Sequence, residues 1–123
     1  MSTKKSRKLT SRDYDALVEE HRKVIGEISL LFSETAQRLD DEGSFSDANS
    51  ILRHARERYH SLTIVKDTYS LAARLVESEA VHTIDELEGA LSADAYAETD
   101  SLLMSSKEGV TKNLIQWLRD FHQ

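Results

Sequence analysis

The 123-residue chain carries 22 acidic and 16 basic side chains, a formal net charge of -6, 39% hydrophobic residues, no cysteine and no proline. That length allows one hydrophobic core and no second. Absence of cysteine excludes disulfides, thiolate metal sites and a thiol nucleophile. Absence of proline, with only four glycines, favours long helices over a turn-rich β fold, and no apolar run approaches the ~20 residues of a membrane span.

Residues 1–9 hold Lys4, Lys5, Arg7 and Lys8 and no acidic residue. They read as a disordered basic tail ahead of a single helical domain over 10–123. The tail has no apolar stretch of the kind a secretory signal needs, and a cytoplasmic location is expected. Four charges without an aromatic residue would make a weak, salt-sensitive contact with nucleic acid.

A first helix is expected from about 11 to 41. Thr10 and Asp13 have capping-box spacing. Tyr14, Leu17, Val18, His21, Ile25, Ile28, Phe32, Thr35 and Leu39 recur mostly at steps of three and four, which is one helical face. Glu19–Lys23 and Glu34–Arg38 are i,i+4 pairs in the favourable order. Gly43 suits a left-handed cap after the helix.

A second helix is expected over about 47 to 79, with Ser46 as N-cap and Phe45 as a hydrophobic staple. Its core series is Ala48, Leu52, Ala55, Tyr59, Leu62, Val65, Tyr69, Ala72 or Ala73, and Val76. Two long helices joined by about five residues form an antiparallel hairpin. Between 62 and 76 the second helix is apolar on more than one side, so the last third of the chain must cover it.

Two to three shorter helices follow. Thr83 and Glu86 make a second capping box, for a helix reaching Leu91. Ser92 resembles the cap of another helix, and Gly109 precedes a last amphipathic stripe of Val110, Leu114, Trp117, Leu118 and Phe121. The expected fold is therefore all-α: a long helical hairpin with two to three C-terminal helices packed on it, a helical bundle in class.

The stretch RHARERYH, residues 53–60, packs Arg53, His54, Arg56, Arg58 and His60 into eight positions. On a helical wheel Ala55 and Tyr59 point to the core, and Arg53, Glu57 and His60 point to water. Arg56 lies on one flank of the core stripe, His54 and Arg58 on the other. Arg53 and His60 fit the Arg-x4–6-His signature of metal-independent ribonucleases of the HEPN type, in which arginine holds phosphate and histidine moves a proton. Nine arginines and five histidines supply about one such match by chance. Glu57 with His60, and Glu79 with His82, read Glu-x-x-His as in di-metal bundles. The first pair points outward and the second falls where the helix ends, so no metal site and no cofactor is expected. No glycine-rich phosphate loop, nucleophile elbow or helix-turn-helix pattern is present.

Residues 77–123 carry 10 acidic and 3 basic side chains, a surface that attracts basic partners and repels nucleic acid. Arginine pairs bidentately with carboxylates and is enriched at interfaces. The function these features favour is non-enzymatic: an acidic cytoplasmic adaptor, inhibitor or assembly subunit that binds another protein through its helical surface. Arg53, Arg56, Arg58, His60 and Trp117 are the expected partner contacts. A homodimer is expected, because the short helices cannot cover the whole hairpin. The alternatives are the ribonuclease and a nucleic-acid-associated protein using the tail.

Overall fold

The structure, a computed structural model, describes residues 7–41 and 45–121. It contains four helices: α1 (Ser11–Asp41), α2 (Phe45–Glu77), α3 (Ile84–Tyr96) and α4 (Ser101–Asp120). The expected hairpin is present, with α1 packed along α2 and two further helices on its base. Among the described residues no helix is long and apolar enough to cross a membrane.

Local sequence sets most of the ends. The backbone N–H of Thr10 donates to Asp13 Oδ2 at 2.7 Å, the carboxylate half of a capping box. Thr83 forms the complete box: Glu86 N–H donates to its hydroxyl at 3.1 Å, and its own N–H donates to Glu86 Oε1 at 3.1 Å. At the end of α2, Ala80 N–H donates to Leu75 O and Glu79 N–H to Val76 O, both at 3.1 Å. That is the Schellman pattern. It places Glu79, which is not a glycine, at φ 61°. The expected caps at Gly43 and Ser46 and the staple at Phe45 lie outside the described residues and side chains. On α1, Glu19 pairs with Arg22 and Lys23 with Glu20, each at i,i+3, in place of the expected Glu19–Lys23 pair.

The C-terminal third departs from expectation at two points. α3 runs past Leu91 and through Ser92 to Tyr96, because Ile84, Leu87, Leu91 and Ala95 continue one buried stripe. The next cap is Asp100, whose carboxylate accepts from Leu102 N–H at 2.9 Å and Leu103 N–H at 3.1 Å. Gly109 does not break α4. A helix-interior glycine costs only about 1 kcal/mol, and Thr111, Leu114, Ile115 and Leu118 bury the next turns. Among the described residues there are therefore two C-terminal helices, within the two to three expected.

These two helices cover the residues on α2 that need cover. The buried cluster unites Leu17, Ala72, Ala73, Val81, Ile84, Leu87, Leu91, Leu114, Ile115 and Leu118. Every member comes from the base of the hairpin or from α3, α4 and the loop before α3.

Residues 7–9, assigned above to the disordered tail, are ordered, and residues 1–6 lie outside the described residues. Leu9 N–H donates to His82 O at 2.9 Å and Ile84 N–H donates to Arg7 O at 3.0 Å, around a bridge between Lys8 and Thr83. The Arg7 guanidinium donates to Asp13 Oδ2 at 2.9 Å and to Leu118 O at 2.8 Å. One side chain thus ties the start of α1 to the end of α4. Burial alone would raise the pKa of the Asp13 carboxyl. The hydrogen bond and charge of Arg7, with the bonds from Thr10, outweigh burial and hold it below the usual carboxylate value.

Candidate functional site

Helix lengths create the candidate surface. At 1.5 Å per residue α1 and α2 span roughly 46 and 50 Å, against roughly 20 Å for α3 and 30 Å for α4. The short helices reach only the base. Residues 25–41 and 45–61 form an arm that α3 and α4 border at its root, beside His60, and among the described residues none of the arm joins the buried cluster.

One face of this arm is apolar and open. Ile25, Phe32, Leu52 and Tyr59, expected as core, are 41%, 56%, 44% and 41% exposed. Ile25 and Phe32 are seven residues apart, two turns less about 20°, so they share a face of α1. Leu52 and Tyr59 share a face of α2 by the same spacing. Phe32 and Tyr59 meet across the hairpin with ring centroids 5.4 Å apart. Phe32, Thr35, Leu52, Ala55, Arg56 and Tyr59 line a cleft of about 220 Å³ between the helices. Leu30 is also exposed, but its position on α1 is about 160° from Phe32, so it lies on another face.

The five expected contact residues are sorted onto separate surfaces. Arg56 edges the apolar cleft. Arg58 lies on the opposite flank, with Nη2 3.7 Å from Glu27 Oε2. His60 lines a second groove of about 250 Å³ with Asp67, Asp94 and Lys107. Arg53 is exposed on the outer side of α2. Trp117 sits at the far end of the molecule, half-buried between Tyr69 and Phe121 at ring distances of 5.8 and 5.7 Å. It lines a groove of about 530 Å³ with the Arg12 to Lys23 side of α1. Arg56 is the one expected contact that belongs to the apolar face.

Arg53 and His60 lie about 10 Å apart along α2. The groove beside His60 holds Lys107, whose Nζ already meets Glu98 at 3.2 Å and Asp94 at 3.8 Å. Of the two Glu-x-x-His pairs, Glu79 and His82 fall in the loop after α2, where His82 N–H donates to Glu86 at 2.8 Å. Among the described residues no group of three His, Cys, Asp or Glu side chains could hold a metal ion.

The perturbed tyrosines belong to the base. Tyr14 donates to Glu77 Oε2 at 2.6 Å, and that bond raises the pKa of its hydroxyl. Burial, with the nearby charge of Glu20, pushes Tyr69 up to about 12.

No protein family, curated protein or solved structure matches the chain.

Proposed function

We propose that the chain is a non-enzymatic protein-binding protein, an adaptor, inhibitor or assembly subunit of the cytoplasm, and that it docks its partner on the apolar face of the arm. The observation behind this reading is the exposure of Ile25, Phe32, Leu52 and Tyr59 on one side of the hairpin, the last three around one cleft. Contiguous apolar patches on a soluble surface mark interaction sites. The composition is that of a binding hot spot: two aromatic rings and two aliphatic side chains at the centre, with an arginine at the edge. If each of the four hides about 80 Å² from water, the gain is on the order of 8 kcal/mol before the costs of association. Arg56, and Arg53 further out, supply the polar contacts at the rim.

Affinity capture from the native host with the full chain and with Tyr59→Glu tests the reading. A protein retained by the parent chain and lost from the variant supports it. The same proteins retained by both would refute it. Cleavage of labelled RNA without metal, abolished by His60→Ala, would replace it with the ribonuclease.

A further inference from the structure

We infer that the occupant of the arm's apolar face is the same face of a second copy of this chain, the two arms stacking about a two-fold axis parallel to the helices into an antiparallel four-helix bundle. This rests on the reading of that face as an interface and adds what covers it.

The first argument is access. The end of α4, through Trp117 and Phe121, borders an open groove whose other wall is the side of α1 that carries Arg12, Ala16, Glu19, Glu20 and Lys23. On a 100° wheel those positions centre roughly 180° from Ile25 and Phe32. The open side of α1 is therefore the side away from α4, and two copies can approach through it without collision between their α4 helices.

The second argument is charge. On a 100° wheel Glu27, Glu34, Arg38 and Asp41 lie about 120° or more from Phe32, and Asp40, about 80° from it, is the charged residue of residues 25–41 nearest the apolar face. On α2, Arg58 is paired with Glu27 on the opposite flank of the same copy, and Arg56 is the cation at the edge of the apolar face. A two-fold axis parallel to the helices lays α1 of each copy over α2 of the other, the helix with Asp40 over the helix with Arg56, twice. An axis across the helices lays α1 on α1 and α2 on α2, like on like. The symmetry of an isologous contact leaves these two arrangements, and charge separates them.

The parallel axis also fits Arg56. Arg56 and Phe32 line one cleft and so stand at one level of the hairpin. An axis parallel to the helices preserves levels, bringing each Arg56 opposite the Phe32 ring of the other copy. There a guanidinium can cover an aromatic face.

The third argument is area. Seventeen residues per helix give an arm about 25 Å long, and two helices side by side are about 20 Å wide. Each copy then buries on the order of 500 Å² before corrugation is counted, and the pair about 1,000 Å², the threshold for a specific interface.

Sedimentation equilibrium of the full chain at micromolar concentration is the test. The expected mass is twice the 14.0 kDa of one chain. Phe32→Glu should weaken the dimer by about 100-fold or more with its helical circular dichroism retained, and Leu30→Glu, on another face, should leave it dimeric. A spin label on Asp41→Cys, in a chain with no cysteine of its own, reports the axis. Tips side by side give a distance under about 25 Å, and the crossed arrangement gives more than about 30 Å. A dimer that survives Phe32→Glu overturns both the inference and the reading of the face as an interface. A dimer with labels far apart overturns the parallel axis. A parent chain that stays monomeric overturns the second copy, and the reading of the face then stands or falls by the capture experiment alone.

Discussion

Replacing Arg7 with alanine removes a side chain that joins the first helix to the last through both an ion pair and a backbone carbonyl. The Asp13 side chain is fully buried and that of Arg7 is 29% exposed. Removing one partner of a buried ion pair costs about 3–5 kcal/mol, because the other charge stays behind unpaired. Here water can follow the missing guanidinium to the edge of the site, and Thr10 still donates to Asp13 through its N–H and hydroxyl. A cost of about 2–3 kcal/mol at pH 7 is therefore expected, a fall in Tm on the order of 10 °C for a chain of this size. The double variant Arg7→Ala/Asp13→Ala should cost less than the sum of the single changes, by about 1–2 kcal/mol. The sign of the pH dependence follows from the direction of the Asp13 shift. Its folded pKa lies below the 3.8 of an unperturbed aspartate, so the stabilisation is complete above that pH and is lost as pH falls through the folded pKa. The gap between parent and Arg7→Ala should be widest near neutrality and close in acid. Urea unfolding followed by circular dichroism across that range measures it. A cost under about 0.5 kcal/mol at pH 7, or strict additivity in the double variant, would show that Arg7 is not held as described.

Two further outcomes are expected. Glu79→Gly should raise stability by about 0.5–1 kcal/mol in urea unfolding, since a residue with a Cβ at φ 61° carries a left-handed penalty that glycine lacks; an unchanged midpoint would mean the turn is unstrained. In an alkaline titration followed by phenolate absorbance, Tyr69 should ionise late, near pH 12, and Tyr69→Phe should remove the late phase. Because that pKa is raised, the stability tied to it is present below the unfolded value of 10 and is lost as pH rises toward 12.

What could be read from the chain alone was what depends on neighbours within about four positions. Absence of proline and apolar steps of three and four specify two helices about thirty residues long. Thr10 with Asp13, and Thr83 with Glu86, mark helix starts because a cap is a contact across three residues. The same local logic misjudged Ser92 and Gly109, residues that favour helix ends but are carried through by buried side chains on the turns beside them. It also assigned Arg7 to a disordered tail, because one of its partners, the carbonyl of Leu118, lies 111 residues away.

The candidate site shows the same division more sharply. Periodicity states that Ile25 and Phe32 share a face, and Leu52 and Tyr59 another, and both statements hold. It cannot state whether anything covers those faces. That depends on where α3 and α4 dock and how far they reach, and they stop at the base. One signal was present: the segment Ile28, Leu30, Leu31, Phe32 is apolar on more sides than a single partner helix can cover. Sequence alone determined which residues face the same way, because the pitch of a helix is a local property. Tertiary structure alone decided which of those faces meet water, because burial depends on contacts between segments distant in the chain.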